Sequence, residues 1–162
     1  MTTLAADLLA LGSIAQGRPH STLGQPTITA TMVEAGVSRN VTPPTAKAVL
    51  DVRSTPAWSH PELAAELRDR LTSEVVVTSD RLVPCETPPD SALLAALLRA
   101  RPAARPFGSP TCSDWVFLRG SDAVKCGPGT SRRSHTADEC VDLDEVTEAR
   151  GFYARVAREY LR

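Results

Sequence analysis

Leucines at positions 4, 8 and 11 recur at helical spacing behind Thr2 and Thr3, either of which can cap, so residues 4 to about 14 are expected to form an amphipathic helix. A connector over 17–24, bounded by glycines, leads into residues 27–33, where strict alternation sets Ile28, Ala30 and Met32 on one face and threonines on the other. Turn-rich residues 36–44 follow, and alternation resumes over 46–53 with Ala46, Ala48, Leu50 and Val52 inward and Lys47, Asp51 and Arg53 outward. Two such neighbouring runs predict a hairpin with a polar outer face. Ser59-His60-Pro61-Glu62 has the form of a capping box, with proline in the first turn where its missing N–H does no harm. It predicts a helix from 60 to 71 and makes His60 a first-turn surface residue. Three consecutive valines predict a strand over 74–78.

Residues 81–89 are proline-rich and read as a crossover between domains. Asp90 is then expected to cap a helix whose Leu93, Leu94, Leu97 and Leu98 form a broad apolar face for burial against a sheet. Residues 111–118 are expected to form a short helix with Trp115, Val116 and Leu118 as core contacts, and residues 123–126 a buried strand. Asp142 with Glu145 matches a capping pair for a last helix that presents Val146, Ala149, Tyr153, Val156 and Tyr160 to the core. Gly151 inside that helix should cost roughly 1 kcal/mol relative to alanine. Helix, strand, strand, helix, strand is the order of a ferredoxin-like βαββαβ domain without its first strand. The remainder is half of an α/β layer. An α/β protein with a break near residue 80, giving domains at 1–80 and 81–162, is the expected architecture.

The loop between the 123–126 run and the last helix reads Cys126-Gly-Pro-Gly-Thr-Ser-Arg-Arg-Ser-His-Thr-Ala-Asp-Glu139. It would stand at a strand's carboxyl end, where open α/β sheets bind ligands. Gly127 and Gly129 around Pro128 allow a tight turn with exposed N–H groups, and His135 lies among hydroxyls and carboxylates. Two readings stay open on these residues: a metal-ligating or catalytic histidine, or a polar surface loop with a solvated one.

Composition narrows the field. With 42% apolar and 23% charged residues the 162-residue chain is ordinary for a globular protein. A formal net charge of −1 without a basic stripe leaves nothing to neutralise phosphates, so nucleic acid is not an expected partner. The amino terminus has no positive n-region and carries Asp7 within its apolar stretch, so neither a signal peptide nor a membrane span is expected, and the expected compartment is the cytoplasm. Cys85, Cys112, Cys126 and Cys140 are spaced 27, 14 and 14 residues apart and form no C-x-x-C pair, so reduced and mostly buried thiols are expected.

Two stretches, taken together, resemble a known family. Gly36-Val-Ser-Arg-Asn40-Val-Thr-Pro43 with Leu50-Asp51-Val52-Arg53, and Gly127-Pro128-Gly129 with Ser134-His135-Thr136-Ala137-Asp138-Glu139, look like parts of the co-catalytic zinc hydrolases that include acetylornithine deacetylase, succinyl-diaminopimelate desuccinylase and carboxypeptidase G. The resemblance covers nearly the whole chain. It implies a ferredoxin-like lid and dimerisation domain, followed by the carboxyl-terminal part of a three-layer α/β/α catalytic domain that cleaves N-acyl amino acids with two zinc ions. By the same resemblance His135 matches the last zinc ligand, and Asn40 and Arg53, thirteen residues apart, match lid residues that bind the substrate carboxylate. Gly127 and Gly129 match the loop that closes on the substrate, and Ser113 and Asp114 border its pocket.

The departures are equally specific. The family draws its remaining zinc ligands and its general base from a His-x-Asp motif, a separate aspartate and a Glu-Glu pair, and this sequence has no His-x-Asp and no Glu-Glu. Those segments, with the first lid strand and its His-Ser motif, would lie before Met1. Gly17-Arg18-Pro19-His20-Ser21 imitates that motif but follows the first helix, so His20 is read as a connector residue. The expected function is the carboxyl-terminal part of a zinc amidohydrolase. The alternatives are a non-catalytic dimerisation or binding module, and an anion-binding nest built on Gly-Pro-Gly with Arg132 and Arg133.

Overall fold

The computed structural model describes residues 2–134 and 136–162. It divides into two units: the chain up to Pro84 together with Phe107–Cys112, and Cys85–Pro106 together with Ser113–Arg162.

In the first unit, helix α1 (Thr2–Ala10) runs into a 3₁₀ turn at Leu11–Ser13. Strands β1 (Thr27–Ala35) and β2 (Ala46–Arg53) form an antiparallel hairpin, and helix α2 (His60–Arg70) follows. The core sits between the helices and one face of the hairpin: Leu11, Ile14, Ala15, Trp58, Leu63 and Leu67 are buried, with Ile28, Ala30, Leu50 and Val52 packed against them. The alternation of β2 is as the sequence predicts, and Lys47, Asp51 and Arg53 face out. That of β1 is not. The register slips between Ala30 and Met32, so Met32 pairs with outward-facing Val49 and is exposed instead of joining Ile28 and Ala30. One residue of bulge turns every later side chain to the other face.

The expected strand at 74–78 is absent, because the sheet among the described residues has two strands only. The chain leaving α2 is instead fastened by a carboxylate: Thr72 and Ser73 donate their N–H groups to the two oxygens of buried Asp7, at 3.0 and 2.8 Å. The Ser73 hydroxyl first, then the Thr72 N–H, holds the Asp7 carboxyl below its ordinary pKa. Of the three valines only Val75 reaches the core, while Val76 and Val77 are exposed.

The capping box of α2 forms as its sequence predicts, with the Ser59 hydroxyl accepting from the Glu62 N–H and Glu62 accepting from the Ser59 N–H. The Ser59 hydroxyl, the Ser59 N–H and Arg18 together hold Glu62 down to about 2. A carboxyl depressed in the fold stabilises it fully above its unfolded pKa near 4.5 and loses that contribution as pH falls through about 2. Glu62→Gln is therefore expected to flatten the acid limb of a Tm-against-pH curve between those values. An unchanged limb would assign the acid sensitivity to other carboxyls, with Asp7 the next to substitute.

The second unit is built on helices α3 (Ala92–Ala100) and α4 (Leu143–Tyr160), with a 3₁₀ turn at Asp114–Leu118. Ser91, not Asp90, caps α3: its hydroxyl accepts from the Leu94 N–H and donates to Asp122, which also accepts from the Leu93 N–H. The predicted strand at 123–126 joins no ladder among the described residues. Side chains take its carbonyls instead, Thr87 Oγ1 donating to Ala123 at 2.9 Å and Tyr153 OH to Cys126 at 3.3 Å. In the 3₁₀ turn Val116 is buried, whereas Leu118, expected in the core, is exposed.

Helix α4 starts at its predicted capping box on Asp142 and Glu145 and buries Val156 as expected, but with Phe152 in place of Tyr153. Phe152 and Val156 meet Ala96, Leu93, Leu97 and Ala100 of α3, while Val146, Tyr153 and Tyr160 are partly exposed. Arg101 lies over the Phe152 ring at 5.4 Å and pairs with Glu148, and Arg99 donates to the Glu159 carbonyl at 2.9 Å. These two arginines bridge α3 and α4 at the edge of the buried contact. The cysteines differ from expectation in burial: among the described residues no disulfide joins them, but Cys112, Cys126 and Cys140 are exposed and Cys85 is half-buried.

Candidate functional site

The candidate residues fall into both units. Asn40 sits in the loop between β1 and β2, where its Oδ1 accepts from the Ser38 hydroxyl at 2.6 Å and the Val41 N–H closes a turn on the Ser38 carbonyl. Gly36, with φ of +79° and Pro43 against the place a Cβ would take, opens that loop as only glycine does without strain. Arg53 is the last residue of β2, paired with Thr27, and its guanidinium rests on Asp51 at 2.9 Å with more than half of the side chain exposed. An exposed pair of this kind is worth little, so an arriving carboxylate can compete for the arginine. The two residues stand at opposite ends of the hairpin. The seven steps from Ala46 to Arg53 span roughly 23 Å at a strand's rise, so the thirteen-residue spacing does not bring them together within one hairpin.

In the second unit, Ser113 precedes the 3₁₀ turn and accepts the Val116 N–H on its carbonyl, and Asp114 opens the turn with its side chain exposed. Gly127 and Gly129 lie in an exposed turn, Gly129 with φ of +79°. The Tyr153 hydroxyl, bonded to the carbonyl just before Gly127, ties that turn to α4. His135, the candidate metal ligand, lies outside the described residues. Of the arginine pair in the same loop, Arg133 is bound to Glu145 at 3.0 Å, which leaves Arg132 as the cation for the anion-nest reading.

A two-zinc centre needs several convergent carboxylates and imidazoles. Among the described residues no group of three or more His, Cys, Asp or Glu side chains could hold a metal ion. These residues alone do not fit such a centre, and no hydrolytic step is derived through one. Nor, among them, is any helix long and apolar enough to cross a membrane.

Sequence reasoning set His60 aside as a surface residue. It does lie in the first turn of α2, but half-buried and hydrogen-bonded through both ring nitrogens. Its partners, Ser54 and Asp80, are separated from it by 6 and 20 residues and form no recognisable pattern in the chain.

The family model of the peptidase dimerisation domain matches residues 2–78. This part of the chain belongs to that family. The match covers both helices and the hairpin of the first unit. Beyond it, the chain is 32% identical over 144 residues to a succinyl-diaminopimelate desuccinylase of Methylobacterium radiotolerans, covering 80% of this chain and 36% of that protein. A [LysW]-lysine/[LysW]-ornithine hydrolase of Saccharolobus solfataricus is 29% identical over 128 residues, covering 75% and 37%. A second succinyl-diaminopimelate desuccinylase, of Methylorubrum populi, is 32% identical over 133 residues, covering 75% and 34%. These alignments extend past the dimerisation domain into the second unit, and the chain spans about a third of the length of the curated relatives it matches.

Proposed function

We propose that the chain is the carboxyl-terminal part of a zinc-dependent amidohydrolase that cleaves the amide bond of N-acyl amino acids or related small peptides. Residues 1–80 act as its lid and dimerisation domain, and residues 81–162 supply the carboxyl-terminal segment of a three-layer α/β/α catalytic domain. The observation that carries this reading is the dimerisation-domain match followed, in one alignment, by likeness to hydrolases through most of the chain. His135 is the zinc ligand this chain contributes. Arg53 offers a bidentate fork and Asn40 an N–H donor to the substrate carboxylate, with Gly127, Gly129, Ser113 and Asp114 bordering the substrate.

Pairing through the lid fits the hairpin's surface and its geometry. Met32, Val33, Val37, Val41 and Val49 are all exposed on the hairpin and its loop. Antiparallel pairing of two hairpins about a twofold axis would set the loop end of one protomer, with Asn40, beside the open end of its partner, where Arg53 stands. A homodimer would thus join two residues that one hairpin keeps apart. Sedimentation velocity is expected to give a dimer of the 17.3 kDa chain, and Met32→Glu a monomer. A wild-type chain that is monomeric at every concentration would overturn pairing through the lid.

The same reading expects no release of amino acid when the 162-residue polypeptide is given zinc and an N-succinyl or N-acetyl amino acid, since the described residues form no metal group. That observation also favours the second reading, a non-catalytic dimerisation or binding module. The DNA preceding Met1 separates the two: coding capacity for His-x-Asp and Glu-Glu motifs supports the enzyme, and its absence in every frame supports the module. Metal-dependent deacylation by this polypeptide would refute both.

A further inference from the structure

We infer, on the reading that Arg53 binds the substrate carboxylate, that Asp51 is its positioning residue: it holds the guanidinium by one edge and so presents the other to the ligand. The two side chains share one face of the hairpin. Asp51 pairs with Thr29 and Arg53 with Thr27, all on the open-end side of the slip between Ala30 and Met32, and all four are exposed. Successive outward positions on a strand stand roughly 7 Å apart, so the arginine lies back along β2 to reach the carboxylate. Its Nε–H donates to Asp51 Oδ2 at 2.9 Å. The threonines opposite are too short to cover it.

Which nitrogen is bonded decides what remains. A guanidinium carries five N–H donors in one rigid plane, and a carboxylate can be taken side-on by Nε with one Nη or end-on by the two Nη groups together. Among the described residues Arg53 makes its one side-chain hydrogen bond through Nε, and Nη1 and Nη2 make none. Asp51 therefore occupies the side-on edge and leaves the end-on fork open. A ligand carboxylate that enters there has the cation between itself and Asp51, so the two anions do not share an edge. An exposed ion pair is weak enough for a ligand to break, yet the open fork makes breaking it unnecessary. The contribution of Asp51 is one of orientation. An arginine left to itself spreads over many rotamers, and ordering it on binding lowers affinity, a loss that shrinks when a neighbour has ordered it beforehand.

Arginine side-chain NMR of the full 162-residue chain tests this, with N-acetylglycine as the probe and sodium chloride at equal ionic strength as the blank. In the unsubstituted chain the probe is expected to shift the Nη resonances of Arg53 and to leave Nε where it stands. Asp51→Ala frees the side-on edge, so Nε is expected to move together with Nη. Asp51→Asn keeps an acceptor oxygen without the charge and should restore the pattern of the unsubstituted chain, which an effect of charge alone would not do. Nε moving with Nη in the unsubstituted chain would mean that the ligand displaces Asp51. That result would overturn the positioning role and leave carboxylate binding by Arg53 intact. A pattern that Asp51→Ala does not change would overturn the role equally. Should the probe move no Arg53 resonance in any of the three proteins, carboxylate binding by Arg53 itself fails, and the role of Asp51 with it.

Discussion

Replacing Ile14 by alanine is expected to destabilise the first unit by about 3 kcal/mol, within the range for truncating a fully buried aliphatic side chain. No other large side chain in the described residues is as completely enclosed. Ile14 ends the 3₁₀ turn, its N–H donating to the Leu11 carbonyl at 3.2 Å, and it lies among Leu11, Trp58, Leu63 and Leu67. The backbone there has little room to relax into a cavity. Ala15 follows in the left-handed region at φ of 58°, itself buried, so the turn is fixed on both sides of the missing atoms. For a unit of this size such a loss lowers Tm by about 15 °C. Leu9→Ala, on the exposed side of α1, should change Tm by no more than a few degrees. Thermal melts with hydrogen exchange on α1 and α2 test the contrast, and comparable losses in the two variants would show that the core does not centre on Ile14.

Where neighbouring residues settle a structure among themselves, the chain was legible. Both capping boxes, the hairpin and the four α-helices follow from patterns a few residues long. Apart from the cap of α3, which falls on Ser91 and not on its neighbour Asp90, the failures depend on partners distant in sequence. Residues 74–78 and 123–126 carry strand-like apolar runs, yet a strand exists only where another offers its ladder. Here Asp7 takes the Thr72 and Ser73 N–H groups, and Thr87 and Tyr153 donate to the Ala123 and Cys126 carbonyls. The bulge after Ala30 is equally silent in the alternation of β1, and it alone turns Met32 outward. The candidate site divides in the same way. The family resemblance is what points to Asn40 and Arg53, and their spacing says nothing of the hairpin that holds them apart. His60 was passed over because it bonds Ser54 and Asp80, not its neighbours.

The stripe of α4 that faces α3 gives the second large effect. Phe152→Ala is expected to destabilise the second unit by about 3–4 kcal/mol, because a buried aromatic is lost from a contact that otherwise consists of leucine, valine and alanine. The loss extends beyond the ring's own area. Arg101 would lose the face it lies over while keeping its pairing with Glu148, and Ala96, wholly buried opposite, has no bulk with which to refill the space. Tyr153→Ala makes the opposite case. Periodicity alone favours Tyr153 as the core residue, yet its side chain is 44% exposed and its hydroxyl makes one bond, to the Cys126 carbonyl. Its removal should cost about 1 kcal/mol and loosen the Gly127–Gly129 turn without unfolding α4. Denaturant titration followed by hydrogen exchange at the α3 and α4 amides distinguishes these outcomes. Protection lost throughout both helices in the Phe152 variant, but kept in the Tyr153 variant, is the expected result. The reverse ranking would mean that Tyr153, which hydrophobic periodicity favours, and not Phe152 carries the contact between the two helices.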